Sequence, residues 1–343
     1  MGAPYGVAAQ VMSSNPSFPN LSSGPDLPSG GPIPVLVVAG PTASGKSAFA
    51  LEAAEALDGV VINADSMQVF EELRILTARP SPEEEVRVPH RLYGVLSAAE
   101  KGSAAWWRDR ALLEIDTAHR AGRLPIVAGG TGLYLRALMH GIANIPVVPG
   151  DVLAEAQVLH TRLGGAAFRQ ALGEFDPVLA ARLQPGDTQR LLRAWAVASA
   201  TGRPLSSWQA DPIAPPARLR FTSVLLFPPR PASAEAIERR FRVMIEAGAQ
   251  DEVRALLALN LDRSLPAMKA LGVRQLIEVI EEKIPLDAAI DTAVIATRQY
   301  AKRQCTWFRH KFVSNLKLDE QFSKSRFREI FPKIRTVLLT PES

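Results

Sequence analysis

The chain has 343 residues, 47% hydrophobic and 22% charged, which is the make-up of a soluble globular protein with one large domain or two modest ones. A single cysteine, Cys305, excludes an internal disulfide and a cysteine-clustered zinc site and fits a reducing cytoplasm. No apolar run approaches the roughly 18 residues of a membrane helix, and the net charge of +4 favours a polyanionic partner.

Residues 1–33 are rich in Gly, Pro, Ser and Ala and read as a disordered leader. The leader lacks the basic start and compact apolar core of a secretory signal. Gly2 invites a myristoylation reading, but Gly6 stands where Ser or Thr is wanted. Val35–Val38 then form an apolar, mostly β-branched run that reads as a buried parallel strand. It breaks into Gly40-Pro41-Thr42-Ala43-Ser44-Gly45-Lys46-Ser47, which fits the phosphate-loop pattern G-x-x-x-x-G-K-[ST]. Loop N–H groups and the positive end of the following helix converge there on one small volume suited to phosphate oxygens. Lys46 adds a point charge, and the Ser47 hydroxyl can ligate Mg²⁺. The motif says phosphate; it does not say ATP.

The next helix is expected to bury Phe49, Ala53, Ala56 and Leu57 and to close at Gly59. Val60–Ile62 reads as a second strand, ending at Asp65, and Pro125–Ala128 as a third, ending at Gly129-Gly130-Thr131-Gly132. A helix through Trp106, Arg110 and Ile115 lies between them. Alternating strands and helices predict an α/β fold: a P-loop parallel sheet flanked by helices, with ligands at the carboxyl ends of the strands. Residues 34–145 form the first part of this core, 146–208 a helical insert, and 209–315 the completion of the core, beginning with a strand at 221–227. Helices follow at about 233–247, 250–258, 273–282 and 288–311, and residues 316–343 read as an uninformative tail.

Asp65 is placed to hold Mg²⁺, to act as a general base, or simply to cap a turn. Thr131 either faces a ligand brought close by its glycines or caps a helix. Arg230, Arg239, Arg240 and Arg242 could close over a diphosphate bidentately, although for any one of them a solvated basic face is the preferred reading. The last long helix carries five Lys/Arg and no Asp/Glu over residues 298–311. Its apolar stripe runs Ile290, Val294, Thr297, Ala301, Cys305, Phe308, with Arg298, Lys302 and Arg309 along one flank, a ridge beside Trp307 suited to a nucleic-acid backbone.

Together these segments resemble the tRNA dimethylallyltransferase (tRNA isopentenyltransferase) family. The match runs through the phosphate loop, Asn63-Ala64-Asp65-Ser66-Met67-Gln68-Val69, Thr77-Ala78-Arg79-Pro80, Pro89-His90-Arg91-Leu92 and Ala128 to Tyr134. It continues through Gly186 to Arg190, Ala270 to Gln275 and Thr297 to Arg309. Phe70, the pair Tyr93-Gly94, and Gly186 depart from the usual pattern.

The resemblance implies transfer of a dimethylallyl group from its diphosphate to the exocyclic amine of the adenosine next to the anticodon, tRNA position 37. Asp65 becomes the base, Thr131 a hydroxyl near the reacting centre, and Lys46 a catalytic cation, with Mg²⁺ on Ser47. The diphosphate that the resemblance implies singles out Arg240 among the four arginines to meet it. Asp65, Ser66, Met67 and Gln68 become contacts to the target base. Further contacts to the anticodon stem-loop fall on Leu153, Gly186, Asp187, Thr188, Gln189 and Arg190, on Lys269, Gly272 and Arg274, and on Arg298, Lys302, Arg303 and Arg309. A cytoplasmic monomer is expected. A small-molecule or nucleoside kinase is the alternative enzyme, and an RNA-binding protein with a relic phosphate loop the alternative outside enzymes.

Overall fold

The computed structural model describes residues 31–339 except 212–215 and 217. The expected disordered leader therefore falls, save its last three residues, outside the described residues, and the first strand already begins at Ile33. Six parallel strands form one sheet in the order β3-β2-β4-β1-β5-β6. They are β1 (Ile33–Ala39), β2 (Gly59–Asn63), β3 (His90–Arg91), β4 (Leu124–Gly129), β5 (Leu219–Leu226) and β6 (Leu316–Leu318). β1 sits at the centre with Val37 in register with Val127 of β4 and Ser223 of β5. All seven of its residues are buried, because helices cover both faces.

The side-chain alternation of β1 divides the core. Val35, Val37 and Ala39 join the larger cluster. That cluster lies under α3 (Ala104–Arg120), α4 (Gly132–His140), α9 (Arg230–Glu246), α10 (Ala249–Ala258), α11 (Val273–Ile280) and α12 (Leu286–Lys311). Leu36 and Val38 face the opposite cluster, under α1 (Lys46–Ala56) and α13 (Lys324–Leu339). At about 1.5–3 kcal/mol per buried aliphatic side chain, this two-sided burial holds the central strand and the loop that leaves it.

Four local expectations are corrected. Ala56 is exposed, since α1 ends there, and Asp58 with φ of 45° makes the left-handed turn while Gly59 starts β2. On α12 the buried stripe passes through Gln304, and Cys305 is only half-buried. The two-residue strand β3 was not foreseen. Residues 316–339 are no featureless tail: β6 extends the sheet, and Phe327, Ile330 and Ile334 of α13 complete the second core.

The insert carries α5 (Gly150–Leu172), kinked at Gly164, with α6 (Pro177–Arg182), α7 (Thr188–Thr201) and α8 (Leu205–Ala210). Phe168, Leu172, Leu191 and Val197 give it a core of its own. The buried Asp176 ties that core together by accepting the N–H groups of Leu179 and Ser206.

Candidate active site

β1, β2 and β4 are neighbours in the sheet, so their carboxyl ends bring the phosphate loop, Asp65 and Thr131 to one edge. The loop turns at Pro41–Ser44, where the Ser44 N–H meets the Pro41 carbonyl at 3.3 Å and Ala43 takes φ of 60°. Gly45, at φ of 86°, then opens α1. The first-turn N–H groups of a helix have no intrahelical acceptor, which leaves them for an anion. Lys46 Nζ lies 3.5 Å from the Pro41 carbonyl, folded over the loop.

Two cations share this volume. Burial pushes the Lys46 ammonium down to about 8; the Asp65 carboxylate opposes the shift and the Arg240 guanidinium adds to it. Arg240, reaching in from α9, donates to Thr42 Oγ1 at 2.8 Å, and its own pKa is lowered by burial against the pull of Asp65. Arg230, Arg239 and Arg242 are exposed, and Arg242 pairs with Glu238. Arg240 alone of the four meets the loop.

Asp65 is set by the end of β2. Asn63 is buried, its side chain accepting the Asp65 N–H at 2.8 Å and donating to the carbonyls of Asp65 and Leu92, each at 3.0 Å. Trp107 Nε1 caps the Asn63 carbonyl at 2.7 Å. Asp65 Oδ1 accepts the Met67 N–H at 2.9 Å, so the residue does cap a turn, while Oδ2 meets no donor among the described residues. The turn-cap reading thus accounts for one oxygen of the carboxylate and leaves the other toward the site. Burial, with the Asp65 charge added to it, raises the phenols of Tyr93, Tyr134 and Tyr300, that of Tyr134 to about 12.

Thr131 sits at the start of α4 but does not cap it; its Oγ1 instead accepts the Ser66 N–H at 2.9 Å. Tyr300 lines the same cleft wall as this side chain. The glycines around Thr131 serve protein packing and not ligand approach. A Cβ on Gly129 would lie 2.2 Å from the Ala64 backbone, one on Gly130 2.5 Å from Gln304 Nε2, and one on Gly132 2.4 Å from the Trp307 ring.

Gln304 was missed as a site residue, though a polar side chain within a buried stripe is a legible signal. It accepts the Thr42 N–H at 2.8 Å and donates to the Gly130 carbonyl at 2.9 Å, bracing the phosphate loop against the end of β4. Gln304→Leu keeps the volume and orphans both backbone groups, each at a cost of about 1–3 kcal/mol. The urea unfolding midpoint is expected to fall by the equivalent of about 2–6 kcal/mol. An unchanged midpoint would show that the bridge adds nothing.

Beyond Thr131 opens a cleft of about 1300 Å³, lined by Arg190 of the insert and by Tyr300, Lys302, Arg303, Trp307 and Lys311 of α12. Thus Thr131, Lys302, Arg303 and Arg190 come together. Arg298 instead pairs with Glu238 at 3.0 Å, and Arg309 lies over the Phe227 ring. Lys269 and Arg274 line a separate groove of about 620 Å³, and Gly272 is buried with φ of 91° against Leu76 and Phe241. Gln68 is buried, its amide nitrogen held by the carbonyls of Thr77 and Ala78. Ser66 and Met67 are half-buried beside Asp65; Leu153, Gly186, Asp187, Thr188 and Gln189 lie on the insert and do not line the cleft.

Among the described residues no group of three His, Cys, Asp or Glu could hold a metal alone. The exposed Ser47 hydroxyl at the first turn of α1 is the oxygen a loop-bound Mg²⁺ could use. Such an ion takes one or two protein oxygens and completes its shell with phosphates and water, which this donor set fits.

The profile of the family described as IPP transferase matches residues 68–311, beginning after the phosphate loop. A tRNA dimethylallyltransferase of Rhodospirillum centenum is 58% identical over 287 residues, 83% of this chain and 91% of the relative. One from Paramagnetospirillum magneticum is 51% identical over 307 residues, covering 90% and 98%. Among solved structures, the full-length tRNA isopentenylpyrophosphate transferase of Bacillus halodurans is 31% identical with a TM-score of 0.63, covering 89% of this chain and 96% of that one. A eukaryotic dimethylallyltransferase acting on tRNA, at 23% identity, shares the fold with a TM-score of 0.75 over 90% of this chain and 80% of its own. The chain belongs to the IPP transferase family, alongside these tRNA dimethylallyltransferases.

Proposed function

We propose that this protein transfers a dimethylallyl group from dimethylallyl diphosphate to the exocyclic amine of the adenosine beside the anticodon of a tRNA. The observation that carries the reading is the charge balance at the loop: two desolvated cations, Lys46 and Arg240, face a single carboxylate, Asp65. Such a site awaits an anion. Cations on the opposite side, Arg190, Lys302 and Arg303, suit an RNA backbone entering the cleft.

The allylic C–O bond breaks with its electron pair leaving on the diphosphate, and the adenosine amine forms the new C–N bond. Charge grows on the bridging oxygen as this happens, and Lys46, Arg240 and the first-turn amides of α1, gathered at the loop, would stabilise it. Mg²⁺ held by Ser47 and the diphosphate would neutralise further leaving-group charge. Asp65 Oδ2 takes the proton the amine loses, and the Ser66–Thr131 hydrogen bonds steady the turn that carries it. An anticodon loop must splay to deliver an adenine amine into this site. One chain supplies every group named, so a monomer suffices, and a tRNA substrate fits a cytoplasmic enzyme. No described helix is long and apolar enough to cross a membrane. A kinase reading leaves the basic cleft without a task.

Dimethylallyl diphosphate affinity against pH tests the loop assignment. Its phosphates are already ionised above neutrality. Lys46 is charged below about 8 in the free protein, so binding is level there; above it, binding requires the lysine to regain a proton. Affinity is then expected to fall by up to tenfold per pH unit, and Lys46→Arg should abolish the fall. Equal or tighter binding of ATP, with no pH dependence for the prenyl donor, would point away from prenyl transfer.

A further inference from the structure

The segment after β6 lies outside the family match and outside every motif of the sequence, yet it touches the phosphate loop twice. Gln321 Nε2 donates to the Ala43 carbonyl at 3.1 Å. Phe322 lies so close to Gly45 that a Cβ there would come within 2.5 Å of the phenylalanine Cβ. The Phe322 and Phe327 rings then meet Phe49 of α1 edge-on, with centroids 6.2 and 5.2 Å away, and Lys324 pairs with Glu52 at 2.8 Å.

The two contacts fall where the loop is least able to hold itself. Ala43 has φ of 60° and Gly45 φ of 86°, so two residues of the loop are left-handed, and one of them is not glycine. A left-handed alanine costs about 1–2 kcal/mol against its ordinary conformations. The Thr42 N–H next to it is fixed from the other side by Gln304. The loop is therefore gripped from both flanks, from within the core by α12 and from outside by the chain's last segment.

We propose that Gln321 and Phe322 are positioning residues for the diphosphate donor: they hold Ala43 and Gly45 in the left-handed conformations that aim the loop amides at the phosphates. The proposal rests on the loop being the diphosphate site, and it assigns donor affinity to a segment remote from the reacting atoms. A net hydrogen-bond contribution of about 1 kcal/mol to the competent loop corresponds to a roughly fivefold change in affinity.

The test compares Gln321→Ala and the isosteric Gln321→Glu, whose carboxylate cannot donate to Ala43, in the wild-type and Ala43→Gly backgrounds. Glycine removes the left-handed penalty, so the grip is no longer needed. Binding of inorganic diphosphate should weaken about fivefold in either Gln321 variant, and by less than about twofold when Ala43→Gly is also present. The donor KM should follow, while kcat at saturation and the RNA KM stay put. Amide hydrogen exchange over residues 40–47 without ligand should quicken in the variants and revert with Ala43→Gly. Unchanged exchange and affinity, or an equal loss in both backgrounds, overturns the positioning role. If wild-type protein binds no diphosphate, the functional reading fails, and the exchange result still decides whether the segment grips the loop.

Discussion

Asp65→Asn is expected to lose a factor of about 10²–10⁴ in kcat while still binding both substrates, the usual worth of a positioned general base. Asparagine keeps the Oδ1 that accepts the Met67 N–H, so the turn at the end of β2 survives, and Asn63 still holds the Asp65 backbone. What disappears is the acceptor for the amine proton. The electrostatics sharpen the expectation. Asp65 faces the same volume as Lys46 and Arg240, where its charge repels an incoming diphosphate. Removing it should leave donor affinity at neutral pH equal or better. Pre-steady-state transfer with both substrates saturating separates the two effects. A variant that loses binding and turns over normally at saturation would remove Asp65 from the chemistry and leave it as a turn residue.

Arg240→Met should cost about 10²–10³ in kcat, comparable to removing one preorganised donor from a site of developing charge. The guanidinium is desolvated, anchored on Thr42 Oγ1, and without a hydrogen-bonded carboxylate in the site. Its burial is unfavourable for the ligand-free fold and becomes useful when a dianion forms beside it. Arg240→Met is therefore expected to raise the thermal midpoint of the free protein while slowing transfer, a trade of stability for activity. Arg240→Lys should recover only part of the rate, because an ammonium lacks the planar fork. A methionine variant with unaltered kcat and a lower midpoint would make Arg240 a structural arginine.

The candidate site residues at the sheet edge were readable because each follows a buried strand. β1 declares itself by its unbroken aliphatic run, and Asp65 and Thr131 follow from β2 and β4. Arg240 was already preferred in sequence, and packing supplies the physical distinction: it reaches the loop, whereas Arg239 and Arg242 sit on the same helix and face solvent. Long-range pairings were illegible for a physical reason. β3 is two half-buried polar residues, His90 and Arg91, whose strand character comes from β2 alone. β6 is three residues, too short to show a period, and in α13 Pro332 interrupts an otherwise helical stripe of Phe327, Ile330, Ile334 and Leu338. Three glycines in Gly129 to Gly132 suggest a ligand in sequence, whereas their true neighbours, Ala64, Gln304 and Trp307, come from far along the chain. Likewise the helical period put Cys305 on the buried stripe, and the bond from Gln304 to Thr42 turned the neighbouring position inward.

In the proposed reaction the phosphate loop holds a leaving group and not a nucleotide. Dimethylallyl diphosphate labelled in its prenyl carbons, incubated with this protein, Mg²⁺ and an anticodon stem-loop bearing an adenosine 3′ to the anticodon, tests it in one tube. Label should pass to that adenosine with release of one diphosphate per transfer, without ATP, and an RNA with guanosine at that position should stay unlabelled. An unlabelled adenosine RNA, together with ATP-dependent phosphorylation of a small molecule, would contradict it.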